Sequence, residues 1–253
     1  MLNAGLKLWS TNSNYYDEAV RLTAEQICQY VELYVVPDST DTISQWKTLK
    51  TPFVIHCSHF AHGFNLADAN NAERNAAIFQ QSKMFADALN ASWIIFHGGM
   101  DGHIEETAKQ LASFHESRAL IENKPQIALP NRLGGKRCVG ATVEEIKWIR
   151  SEIGCGFCLD FGHAICAANA LGEEPYAYMD RFMVMNPTMY HLTNLEDMKS
   201  VHDSHLSLRT GELDIARLIK RLPEAAFVTF ETKKQSQHDL KDFEEDMQWL
   251  KNL

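Results

Sequence analysis

Eight short apolar runs recur along this chain, separated by stretches of helical periodicity, and that alternation limits its fold more than any other feature. The runs are Ala4–Trp9, Tyr30–Val36, Phe53–His59, Trp93–His97, Ala119–Glu122, Gly156–Asp160, Met189–Thr193 and Phe227–Thr232. Helix-like segments lie at Asp17–Gln29, Thr42–Leu49, Ala72–Leu89, Ile104–Phe114, Val143–Ile153, Ala164–Tyr178, Asp214–Arg221 and Leu240–Leu250. A connection long enough to hold a helix brings the chain back to the start of the next strand, so such strands run parallel. Eight units of this kind favour closure into an α/β fold of the (β/α)8 TIM-barrel type. An open doubly wound sheet is the competing architecture, but it usually carries a glycine-rich turn after its first strand. Here that turn, Ser10–Tyr15, contains no glycine. The 253 residues suit one barrel, for which about 250 is typical. No linker or low-complexity tract divides them, so residues 1–253 are read as a single domain.

The runs do not end at random. Nine side chains able to bind a metal stand at or just after run ends: His59, His97, Glu122, Asp160, His163, His191, Asp203, His205 and Glu231. Strand ends of a parallel barrel meet at one rim, which gathers distant residues into one pocket. Imidazole with carboxylate suits zinc, with manganese as an alternative, and nine ligands suit two or three ions better than one tetrahedral ion. His56 shares a run with His59, so either could serve as the third-strand ligand. His62, His103, His115, His202 and His238 fall away from strand ends and are read as ordinary histidines. Thr142-Val-Glu-Glu145 has the form of a capping box opening a helix.

The net charge of −9 disfavours extended non-specific binding to nucleic acid, although bound cations would reverse the field locally. No apolar run approaches the roughly 18 residues of a membrane span, and the first residues do not resemble a secretory leader. With six cysteines and no such leader, the expected setting is the reducing cytoplasm. Cys155 and Cys158 have CxxC spacing but enter a strand with no second pair, and are read as reduced packing residues. Lys124, Arg132, Lys136, Arg137, Lys199 and Arg209 lie near the rim, where they are read as a solvated loop cluster or as a grip on one substrate phosphate.

Taken together, these motifs resemble the endonuclease IV family (AP endonuclease family 2) within the xylose isomerase-like TIM barrel superfamily. The run from His59 to Asn65-Leu66 is similar to that family's third-strand motif, and His97-Gly98-Gly99 to its fourth-strand His-x-Gly. Glu122-Asn123, Asp160-x-x-His163, His191-Leu192-Thr193-Asn194, Asp203-x-His205 with the trailing Gly211, and Glu231 each match a further family motif. The resemblance extends from about Phe53 to Thr232. It implies that His59, His97 and Glu122 hold one zinc, and that Glu122 bridges to a second held by Asp160, His191 and Glu231. It also implies that His163, Asp203 and His205 hold a third. The implied activity is hydrolysis of a phosphodiester, with abasic DNA as a candidate substrate and Glu122 and Glu231 as the residues on which turnover depends. Single-metal sugar or sugar-phosphate isomerases and epimerases of the same superfamily are the alternative, since they need only the quartet Glu122, Asp160, His191 and Glu231. Three departures bear on the DNA reading. His62 replaces the family's aromatic residue and Asn194 an aspartate, while the loops Ser10–Asp17 and Val36–Asp41 carry no Arg or Lys.

Overall fold

The structure, a computed structural model, describes residues 2–129 and 136–253. Eight strands form: β1 (Asn3–Trp9), β2 (Tyr30–Tyr34), β3 (Phe53–His56), β4 (Ile94–His97), β5 (Ala119–Glu122), β6 (Gly156–Asp160), β7 (Met189–Leu192) and β8 (Phe227–Phe230). They pair in sequence order, all parallel, and β8 returns to β1 to close the barrel. Closure leaves no sheet edge to protect.

Side chains alternate across a strand, so each strand faces two environments. Leu6, Leu33, Ile55, Phe96, Ile121, Leu159, Tyr190 and Phe230 belong to the large apolar cluster that also takes in the helices. The alternate positions make a second, smaller cluster of Tyr30, Val54, Ile95, Leu120, Cys158 and Met189, which plugs the barrel interior. Two residues further along those strands come Glu32, His56, His97, Glu122, Asp160 and His191, all buried. Lys7 joins them one pleat beyond Gly5 on β1. Gly5 is glycine for a packing reason, because a Cβ there would stand 2.2 Å from the Tyr30 ring.

Some sequence boundaries shift. β3 ends at His56, where the expected run continued to His59. The segment Ala164–Tyr178 resolves into two helices, Phe161–Leu171 and Pro175–Met183. Gly172 ends the first in the left-handed region at φ +73°, and Glu174 caps the second through the Ala177 N–H, with Pro175 at its first position. That is where glycine and proline belong at helix ends. The expected helix Thr42–Leu49 shortens to Ile43–Trp46. The Thr142 capping box forms with both bonds present. All six cysteines are free thiols, and no described helix is long and apolar enough to cross a membrane. The long connection after β5 is tied by antiparallel bridges Ile127–Arg137 and Met100–Cys138. Arg132, Gly134 and Gly135 of that connection lie outside the described residues.

Candidate metal centre

Glu122 sits at the middle of the rim. Its Oε2 lies 3.1 Å from His56 Nε2, 3.1 Å from His97 Nε2 and 3.5 Å from His191 Nδ1. Its Oε1 lies 3.0 Å from His163 Nδ1 and 3.3 Å from Lys124 Nζ. The two oxygens therefore face different histidines, as a bridging carboxylate requires. His191 Nδ1 also stands 3.2 Å from Glu231 Oε1 and 3.9 Å from Asp160 Oδ2, so the quartet Glu122, Asp160, His191 and Glu231 converges on one point. Beside it, Asp203 Oδ2 lies 3.6 Å from His163 Nε2 and 3.4 Å from His205 Nε2. Donor atoms of His56, His97 and Glu122 fall within 4.8 Å of one another, as do those of His163, Asp203 and His205.

The local sequence explains why these atoms point inward. Asp160 ends β6 and caps the following helix, its Oδ1 accepting from His163 N at 2.7 Å. This cap fixes the Asp-x-x-His spacing and leaves Oδ2 for the pocket. Gly162 lies between them because a Cβ would stand 3.4 Å from Asp203 Oδ2 and 2.9 Å from Thr193. His205 adopts φ +50°, its N–H donates to Asp203 Oδ1, and its Nδ1 lies 3.0 Å from Glu231 O. His163 Nδ1 is 3.0 Å from Asn123 O, and His56 Nδ1 is 2.7 Å from Cys57 O. Such outer partners fix the ring orientation of a histidine ligand. Asn194, where the family resemblance leads one to expect aspartate, uses its amide on both sides. It donates to Leu208 O and accepts from Leu195 N and Leu213 N, bracing the loop that carries Asp203 and His205. Asn65 braces the β3 and β4 loops in the same way through Met100.

The two third-strand histidines have different positions. His56 is the inward residue of β3 and reaches Glu122. His59 lies beyond the strand end, accepts the Ala61 N–H on Nδ1, and stacks parallel to His97 with ring centroids 5.5 Å apart. Both line the pocket.

A test of whether a metal suits the site comes from its polar atoms. His97 Nδ1, Asp160 Oδ2, His191 Nδ1 and Asp203 Oδ2 are buried and make no hydrogen bond among the described residues. Buried polar groups in a folded protein rarely go without a partner, so four in one rim fit a cation-binding role. Electrostatics agree. Burial opposes ionisation of Glu122, but Lys124, His97 and His191 hold its carboxyl well below the usual range. Glu231 is likewise held low, against burial, by His191 and Lys7. Burial pushes Asp160 up to about 6, only partly offset by His163. Burial, with Lys124 nearby, keeps His97 well below its ordinary pKa, as a neutral metal-binding imidazole needs.

Sequence reasoning missed two residues here, Glu32 and Lys7, and left a third, Lys124, open between a solvated loop position and a phosphate grip. Glu32 is fully buried and accepts from Lys7, Thr229 and His191, whose Nε2 is 2.9 Å away. Lys7 pairs with Glu32 at 2.5 Å and also with Glu231. Lys124 is no solvated loop residue, since only 6% of its surface is exposed. The rest of the expected basic cluster is largely neutralised. Lys136 pairs with Asp101, Arg137 with Glu145, and Arg209 with Glu245 and Asp246, while Lys199 is exposed. Of the histidines read as ordinary, His202 lines the pocket, and His62 lies 2.6 Å from the Tyr34 hydroxyl. The pocket encloses about 750 Å³, with Trp9, Phe60, Ile127 and Leu129 on its walls and Lys233 and Lys234 also lining it.

Known proteins give the arrangement a family. Probable endonuclease 4 of Mycobacterium tuberculosis (strain ATCC 25177 / H37Ra) is 26% identical over 212 residues, 80% of this chain and 81% of that protein. Endonuclease IV from Thermus thermophilus superposes with a TM-score of 0.67 at 20% identity, covering 99% of this chain and 100% of that one. A D-tagatose 3-epimerase-like protein superposes with a TM-score of 0.71 at 15% identity, covering 98% and 96%. At such identities the two superpositions speak for the fold alone. A family model described as the xylose isomerase-like TIM barrel matches residues 22–253, and the chain belongs to that family.

Proposed function

We propose that the protein is a metal-dependent phosphodiester hydrolase of the endonuclease IV type, carrying two or three zinc ions, with manganese as a substitute. The observation that carries this reading is the convergence of His163, Asp203 and His205 beside the quartet of Glu122, Asp160, His191 and Glu231. A single-metal isomerase needs only the quartet and no Asp-x-His pair. On this reading His59, His97 and Glu122, with His56 beside them, hold the first ion. Asp160, His191 and Glu231 complete the second with Glu122, and His163, Asp203 and His205 hold another. Bound ions would supply Lewis acidity and an activated water for in-line displacement at phosphorus.

The chain's own residues do the rest. Glu122 links the histidines on its two sides through separate oxygens. Glu32 receives the Nε2 side of His191 and so fixes the ring with Nδ1 toward the quartet. Trp9, 44% exposed at the mouth, and the apolar wall formed by Phe60, Ile127 and Leu129 give the organic part of a substrate a surface to pack on. Lys233 and Lys234 offer positive charge to its phosphate. Abasic duplex DNA is the first substrate to test, with a small activated phosphodiester as the control for chemistry without duplex binding. Zinc-loaded protein should cleave at least the small diester, and Asp203→Asn or His205→Asn should abolish cleavage.

A sugar or sugar-phosphate isomerase is the second reading. It is favoured by one observation, the approach of both Glu122 and Glu231 to His191 Nδ1, at 3.5 and 3.2 Å. Paired carboxylates of this kind can pass a proton between neighbouring carbons. Exchange of solvent deuterium into a ketose, surviving Asp203→Asn, would select that reading and end the first.

A further inference from the structure

Lys124 holds a position that a bound cation would otherwise claim. Its Nζ lies 3.3 Å from His97 Nε2, 3.3 Å from Glu122 Oε1 and 3.3 Å from both ring nitrogens of His163. The ammonium thus stands against three groups that a bound cation would also seek. These candidate ligands belong to different metal groups in the reading above: His97 to the first, His163 to the third, and Glu122 to the first two. A zinc ion bound to any of them would sit about 2.0–2.2 Å away, directly against a buried positive charge. The lysine does not sit there by accident of a loose loop. Its backbone N–H donates to Gly140 O at 3.0 Å. The preceding residue, Asn123, is pinned to both the N–H and the C=O of Asp160, at 2.8 and 2.9 Å.

We infer that Lys124 is a resident cation, standing in for one ion of the centre, so that the loaded protein carries one metal fewer than its ligand set could hold. The inference rests on the metal-centre reading of the preceding subsection. It turns the count of bound ions into a property set by one side chain. Removing the ammonium while keeping the length of the stem should open the position between His97 and His163 to a further ion.

The test is metal stoichiometry, read without reference to turnover. Wild-type protein, Lys124→Met, Lys124→Gln and Lys124→Arg are stripped with chelator, reloaded with zinc, desalted and measured by elemental analysis. Circular dichroism and melting curves select the variants that fold. Lys124→Met and Lys124→Gln are expected to bind one more zinc per chain than wild type, and Lys124→Arg no more than wild type. Equal or lower counts in folded Met and Gln variants would overturn the inference and leave the metal centre intact. Zinc absent from wild type and variants alike would overturn the metal-centre reading itself and the inference with it. Anomalous scattering from zinc-soaked wild-type crystals needs no variant to fold. An ion bound by both His97 and Glu122, with Lys124 swung away, would refute the inference directly.

Discussion

Two residues along β5, from Leu120 to Glu122, separate the apolar plug of the barrel from its ring of titratable side chains. The rise is only about 6.6 Å. The same step leads from Val54 to His56, Ile95 to His97, Cys158 to Asp160 and Met189 to His191. Both layers are buried and both point inward, yet their demands on the sequence are opposite. The plug asks for volume and tolerates exchange among apolar residues of similar size. The ring asks for particular atoms at particular distances, and His97 Nδ1, Asp160 Oδ2 and His191 Nδ1 within it are buried without hydrogen bonds among the described residues. Stability and chemistry thus occupy neighbouring storeys of the same strands.

That division is open to attack from either side. Glu122→Gln should produce the largest effect. Activity under either enzymatic reading should fall at least about 100-fold, beyond the cost of losing a supporting partner. The melting temperature should change little, which a paired assay and thermal melt would check. Leu120→Ala strikes the layer below and should behave in reverse. A loss of about 2–5 kcal/mol in a urea denaturation curve is expected, with zinc content per folded molecule unchanged.

Glu32→Gln probes the contact between storeys. It weakens the charged partner of Lys7 and of His191 while keeping the shape, so zinc affinity measured by chelator competition should drop about 10–100-fold. An unchanged affinity would mean that Glu32 serves the barrel rather than the centre. The smallest effect belongs outside the barrel. Lys136→Ala breaks an exposed pair with Asp101 and should shift stability by no more than about 0.5 kcal/mol. A marked loss of substrate affinity in that variant would restore the rim cluster as a phosphate grip.

Much of the fold could be read from the residues because alternation and helical period are local signals. All eight strands lie within or close to the apolar runs. Boundaries shifted where the chain turns from the barrel, as at His56. They also shifted where one apolar pattern spans two helices, although Gly172 and Pro175 already marked that break. The nine expected ligands come together around the rim, but His56 approaches Glu122 while His59 stacks outside His97. Lys7 and Glu32 escaped notice because attention to strand ends passes over a charge in mid-strand. Each is the lone charged residue of its strand, Asn3–Trp9 and Tyr30–Tyr34. Period two places both on the inner face, and that signal was available. The burial of Lys124 was not, because it depends on how the long connection after β5 folds back against Gly140.

Asn123 gives that rim a mechanical character. By clasping both backbone groups of Asp160, it fastens the ends of β5 and β6 to each other just where their ligands emerge. The mouth of the barrel therefore cannot widen at this seam without breaking two buried hydrogen bonds together. Side chains that emerge at this seam, Glu122 and Asp160 among them, therefore turn against a backbone frame that the two strands share.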